Sequence, residues 1–212
     1  MAFEIITGTC TRANDLIAAM VANWDFDGHD TTSTHYTCTW GSVAIWEDSG
    51  YTTKITVRKG TTQILEAVTI GSATSTYTIY KATNAMLVVI KYNGSTTSSD
   101  SRAFLFTTTT SLADPTLVEK IVMTVDYNSG DPVYPKFGST SAANTSSPTM
   151  SSPIYETSAE SVQVYPFVQG NGGYKADNAY LVTRSIRPDF AGQVTFGGET
   201  YAICYGIAIK DE

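Results

Sequence analysis

The chain has 212 residues, 42% hydrophobic and 16% charged. That length fits one generous all-β unit or two small domains and is enough to bury a core, so disorder is excluded as the general state. Thirteen basic residues stand against twenty acidic ones, for a formal net charge of -7. With no basic stripe to neutralise a phosphate backbone, this balance argues against nucleic acid and against anionic membranes as partners.

The N-terminal MAFEIITGTCTR lacks a charged start followed by a long apolar core, and no apolar run approaches the ~20 residues of a membrane span. The expectation is a protein made in a cytoplasm, without membrane insertion. The run TRANDLIAAMVANW places Leu16, Ile17, Met20, Val21 and Trp24 on one stripe of an amphipathic helix. Thr11 or Asn14 is expected to cap it, with Asp15 in the first turn favoured by the helix dipole.

The next stretch is WDFDGHD, Trp24 to Asp30. A calcium loop would need oxygen ligands at alternate positions, then a glycine, then a glutamate at the twelfth position. Counting from Asp25, Gly28 comes one step after Asp27, and the twelfth residue is Tyr36. A zinc site would draw on His29, His35 and Cys38, but on one strand the odd spacing of His35 and Cys38 turns them to opposite faces. The stretch therefore reads as a helix stop: Trp24 closes the stripe, Asp25 and Asp27 bond turn amides, and Gly28 takes the left-handed conformation. Acids at a helix C-terminus run against the dipole, which leaves room for a cation-linked role. No metal or cofactor is expected.

After Gly28 the texture changes to short segments rich in Val, Ile, Thr, Tyr and Phe, the strand signal. About a dozen such segments, from HYTCTW to ETYAICYGIAI, predict an all-β fold, a mainly antiparallel sandwich or barrel-like body with one N-terminal helix. Turns are expected at Asp48-Ser49-Gly50, Lys59-Gly60, Asn93-Gly94 and Gly197-Gly198. AMLVVIKY is continuously apolar and reads as a central strand covered on both sides. From Asn128 to Ser152 no period survives, and the segment reads as a long exposed loop or arm. The chain thus divides into 1–127, helix plus β body; 128–160, a Ser/Thr/Pro-rich arm; and 161–212, strands packing on the same body as part of one domain.

The three cysteines, Cys10, Cys38 and Cys204, are odd in number and far apart, so they read as small buried hydrophobes instead of a disulfide framework. Two histidines and no G-x-S-x-G elbow speak against a serine hydrolase. Gly170 to Gly173, GNGG, lacks the lysine of a phosphate loop and reads as a hairpin. Glu66, Glu119, Glu156, Glu160 and Asp177 are available for a glycosidase pair, but nothing selects two of them. Trp40, Trp46, Tyr51 and Tyr80 are candidates for a sugar-stacking surface.

The order of a short strand, TGTCTR and the helix NDLIAAMVANW, then a Thr-rich β body ending in GNGGYKADNAYLVTRSIRPDFAGQVTFGGETYAICYGIAIKDE, resembles structural proteins of tailed-bacteriophage virions. The likeness covers both ends of the chain. It implies a non-enzymatic tail or baseplate subunit with no catalytic residues, made in the bacterial host cytoplasm and located in the virion. Its partners would be copies of itself and other virion proteins. A carbohydrate- or receptor-binding module that recognises a host surface glycan is the alternative, and a glycosidase acting on cell-surface polysaccharide comes third.

Overall fold

The computed structural model of the protein describes residues 3–48, 51–70, 74–91, 101–126, 136–139, 143–144, 155–157, 162–168, 173–184, 191–204 and 206–211. Antiparallel strands make up 68% of it, curled into a half-barrel, with a single short helix near the N-terminus among the described residues.

The chain opens with β1 (Glu4–Cys10) and α1 (Ala13–Asn23). Five strands follow, β2 (Gly28–Asp30), β3 (Thr37–Trp40), β4 (Val43–Asp48), β5 (Tyr51–Lys59) and β6 (Thr62–Thr69), and they pair in that order as a small sheet. Gly41 (φ 62°) and Gly60 (φ 59°) supply the left-handed residue in two of its tight turns.

The larger sheet is built from β1, β7 (Ser75–Lys81), β8 (Ala85–Lys91), β9 (Ser101–Ser111), β10 (Val118–Asp126), β11 (Lys136–Ser139), β12 (Ala143–Asn144), β13 (Tyr155–Thr157), β14 (Val162–Val168), β15 (Tyr174–Arg184), β16 (Ala191–Phe196), β17 (Glu199–Cys204) and β18 (Ile207–Lys210). Its curl originates in β9. One edge of β9 pairs with β10, while the other pairs with β8 over Ser101–Thr107 and then with β15 over Thr109–Ser111. β15 then passes from β9 to β18 at Tyr180–Leu181. The wing led by β8 is thereby folded toward the wing of β18 and β17, and Leu87, Leu105, Phe167, Leu181, Ile207 and Ile209 fill the space between them.

The opposite face of the β7–β10 wing is covered by α1 and the small sheet. Met86, Val88, Phe104 and Phe106 meet Leu16, Ile17 and Met20 of the helix and Val43, Ile45 and Ile55 of the small sheet. Because both faces are covered, Ala85 to Ile90 are all buried, as the unbroken apolar run predicts.

Three local expectations are corrected. The N-cap of α1 is Arg12, with extended dihedrals, instead of Thr11 or Asn14. The cap works from the acid side: Asp15 Oδ2 accepts the amides of Thr11 (2.9 Å) and Arg12 (3.0 Å) and the Thr11 hydroxyl (3.0 Å). The helix ends at Trp24, itself extended (φ -142°, ψ 140°), and Gly28 is a strand residue and not a left-handed terminator. Gly28 is instead held close to β3, where an added Cβ would lie 3.2 Å from Thr39 Oγ1.

Within Asn128–Ser152, expected to be structureless, Lys136–Ser139 pairs with Ile121–Thr124, and Phe137–Gly138 pairs onward with Ala143–Asn144. Strands of two to four residues are too short to show a period, so the sequence does not reveal them. The rest of that segment lies outside the described residues, as do Ser49-Gly50, Asn93-Gly94 and Gly170 to Gly172. Gly197 and Gly198 form the expected turn, both at positive φ (56° and 84°), between Phe196 and Glu199.

Candidate functional site

Period two along β4 turns Val43, Ile45 and Glu47 to the core and Ala44, Trp46 and Asp48 away from it. The position that should carry a third hydrophobe therefore carries a carboxylate, whose side chain is 0% exposed. An unpaired carboxylate there would be prohibitive. Two donors meet it: Arg12 Nη2 lies 3.3 Å from Oε1, and His35 Nδ1 lies 2.8 Å from Oε2.

These three residues come from the helix cap, the β2–β3 connection and β4, so the carboxylate ties three segments together. Asn14 reinforces the tie, donating to Thr34 O (2.9 Å) and accepting from Tyr36 N (2.8 Å). Glu47 N donates in turn to Tyr36 O (3.1 Å). The His35 ring meets Oε2 through Nδ1, which leaves Nε2 as the other nitrogen of a partly exposed ring.

That orientation suits a general base or a metal ligand. The rest of the neighbourhood does not extend it. Ser33 Oγ donates to the carbonyl of His35 (2.8 Å) instead of facing the ring. Among the described residues, no group of three His, Cys, Asp or Glu side chains converges as a metal site. What the arrangement does chemically is neutralise a buried charge and fix the cap of α1 on the small sheet.

The stretch Trp24 to Asp30 joins the helix to the small sheet. Phe26 enters the core edge-on to Phe106, ring centroids 5.2 Å apart, and Trp24 and Phe26 both pack on Trp40. Asp27 accepts the Gly41 amide (2.6 Å) and pairs with Lys120, whose ammonium also sits 4.2 Å from the centre of the Trp40 ring. Partial burial opposes ionisation of Asp27, but the Lys120 and Gly41 bonds prevail and hold its carboxyl below the usual range.

Asp30 closes a small turn by accepting from Thr32 N, Thr32 Oγ1 and Ser33 N, and these bonds bring its pKa down to about 2. His29 is exposed on β2, while Cys38, its cross-strand neighbour, is buried. His35 precedes β3 and bonds Glu47, so His29, His35 and Cys38 do not share a site.

All three thiols are free and buried. Burial, with Asp15 adding to it, pushes Cys10 up to about 11, and burial pushes Cys38 and Cys204 well above the ordinary thiol range. Held as thiols, they are poor nucleophiles. Of the candidate carboxylates, Glu119 is partly buried, and Asp177 accepts the hydroxyls of Thr108 and Thr110 across the β9–β15 junction. The side chains of Glu66, Glu156 and Glu160 lie outside the described ones.

The aromatic surface is also reduced. Trp40 is buried with Nε1 donating to Thr107 O (3.1 Å), and Tyr80 is buried edge-on to Phe3. Trp40 falls on the inward parity of β3, and Tyr80 lies beneath the N-terminal segment, so neither can stack on a sugar. Trp46 is exposed, with the Arg58 guanidinium 5.9 Å from its ring centre. The side chain of Tyr51 is outside the described ones.

Two features were not singled out from sequence. Glu47 was readable, because it continues the inward parity of Val43 and Ile45. The other is the β9–β10 turn, where Leu112 (61% exposed), Leu117 (50%) and Val118 (55%) project outward. The turn is well bonded: Ser111 N donates to Leu117 O, Leu112 N to Gly173 O and Leu117 N to Asp114 O. Asp114 accepts from Thr116 N and Thr116 Oγ1.

No protein-family model, curated protein or solved structure matches this chain.

Proposed function

We propose that this chain is a non-enzymatic structural subunit of a tailed-bacteriophage virion, of the tail or baseplate, that assembles with copies of itself and with other virion proteins. The observation that carries the reading is a contrast in how side chains are used. Glu47, His35, Asp27 and Asp177 each hold one part of the fold to another. Leu112, Leu117 and Val118, by contrast, face solvent on a turn whose backbone is already bonded. Ordered apolar groups facing outward suit a contact surface. The virion setting draws on the resemblance of the two ends of the chain to phage structural proteins.

Quantitative mass spectrometry of particles purified from the host that carries this sequence tests the reading. The chain should be present at several copies per particle. Its presence in the lysate and absence from washed particles would contradict it.

A second reading, a carbohydrate- or receptor-binding module, is favoured by one observation, the outward Trp46 beside Arg58. A glycan array decides it. Binding that is lost in Trp46→Ala supports this reading, and an empty array removes it.

A further inference from the structure

We infer that the free edge of β1 is a self-recognition surface, at which Glu4–Cys10 of one copy pairs antiparallel with the same strand of a second copy. The inference rests on the homo-oligomer reading above and names where two copies meet.

β1 ends the path of the larger sheet. It pairs with β7 from Glu4↔Lys81 to Cys10↔Ser75 in unbroken register, and no strand is paired on its other side among the described residues. An open edge presents a row of backbone donors and acceptors, so the partner it selects is another strand. Proteins that avoid such pairing place lysine, proline or a bulge on the edge. β1 has none of these, and its one charged residue, Glu4, is already paired with Lys81 at 2.7 Å.

The other edges differ. β2 has three residues. β6 meets β5 through two register shifts and packs near β10 and β11. β16 contains Gly192 at φ 150°, a conformation that weakens a regular edge.

The residues of β1 favour pairing with themselves. Ile5 is 46% exposed, and Thr7 and Thr9 are exposed on the same face. Antiparallel pairing about a twofold axis at Thr7 sets Thr7 against Thr7, Ile5 against Thr9 and Ile6 against Gly8. Threonine pairs stabilise sheets. Gly8 is kept bare by the Tyr77 ring lying across it, so the incoming Ile6 finds an aromatic surface. This register keeps the two Glu4 residues at opposite ends of the joint, whereas a parallel in-register joint would oppose them. The same patch on both copies also closes the assembly as a twofold dimer.

The test uses the full chain. Thr7→Lys puts two ammonium groups face to face at the axis and should weaken self-association by about tenfold or more, with melting of the dilute monomer unchanged because Thr7 is exposed. Thr7→Glu should do the same, and an equal mixture of the two variants should restore association. Thr7→Cys should form an intermolecular disulfide under mild oxidation, because opposed residues lie about 4.5–5.5 Å apart at Cα, within disulfide reach. Thr9→Cys, four positions out of register with its own copy, should not.

Wild-type association that persists in Thr7→Lys overturns the β1 edge and leaves the oligomeric reading standing. A wild type that stays monomeric removes both. Cross-linking by Thr9→Cys but not by Thr7→Cys overturns the register.

Discussion

The two faces of the β7–β10 wing are covered in different ways. Inside the curl, the sheet covers itself, and the filling is almost wholly apolar, from Leu87 and Leu105 to Ile207 and Ile209. The buried Asn178 is satisfied there by Lys210, through 2.9 Å and 3.0 Å bonds to its backbone. On the other face a separate layer, α1 with the small sheet, has to be positioned, and there polar side chains bridge the elements: Arg12 and His35 to Glu47, Trp40 to Thr107, Asp27 to Lys120. Hydrogen-bonded strand continuity already fixes the geometry of the curl, so non-directional packing is enough to fill it. A layer joined through turns has more ways to sit, and directional bonds select one of them.

The sharpest way to break this contrast is to remove a large side chain from each face of one strand. Phe106 points to the docked layer and Leu105 into the curl. Phe106→Ala should cost about 3–5 kcal/mol and Leu105→Ala about 2–5 kcal/mol in urea unfolding. If the layer is held separately, Phe106→Ala should also strip hydrogen-exchange protection from β3–β5 before β15–β18. Uniform loss of protection would merge the two regions.

The next largest effect concerns Glu47. Arg12→Ala combined with His35→Ala leaves a buried carboxylate with neither ionic partner and should cost about 3 kcal/mol, whereas Glu47→Met, apolar and of similar size, should stay within about 1 kcal/mol of wild type. Equal losses in the two variants would mean that the ion pairs themselves supply the stability.

Smaller effects separate two neighbouring tryptophans. Trp40→Phe removes the donor to Thr107 O and should cost about 1–2 kcal/mol. The buried Trp24 Nε1 has no partner among the described residues, so Trp24→Phe should be nearly neutral and should raise Tm if it moves it at all.

The smallest effects follow pH. Cys10 in the folded chain holds its proton up to about 11, against an ordinary value of 9.0. Its contribution is therefore complete below about 9 and lost as pH rises toward about 11, and Cys10→Ala should flatten that part of a Tm-against-pH curve. Asp30 runs the opposite way. Its pKa is lowered from 3.8 to about 2, so its contribution holds above about 4 and is lost as pH falls through that window, a decline that Asp30→Asn should remove.

The architecture was legible wherever a period extends over enough residues. The helix stripe from Leu16 to Trp24, the doubly buried AMLVVI and the Gly197-Gly198 turn all express local rules that the tertiary structure leaves intact. Gly28 was misread because a glycine after a helix suggests a left-handed cap, whereas here the requirement comes from Thr39 on the next strand. The Asn14 side chain, expected alongside Thr11 as a candidate cap of its own helix, is drawn to Thr34 and Tyr36. The pairing of Glu47 with Arg12 and His35 spans 35 and 12 positions. Strand parity marks Glu47 as inward, but its partners depend on how the helix crosses the small sheet, which no local pattern encodes. Trp40 and Trp46 have similar chemistry and opposite parity, and parity alone decides which one faces solvent.

The central claim, that this chain works by assembling instead of by catalysing, meets its most direct test in sedimentation equilibrium of the full protein from nanomolar to high micromolar concentration. The account predicts a mass that climbs from 22.8 kDa to a fixed multiple of it. A mass of 22.8 kDa at every concentration would contradict it.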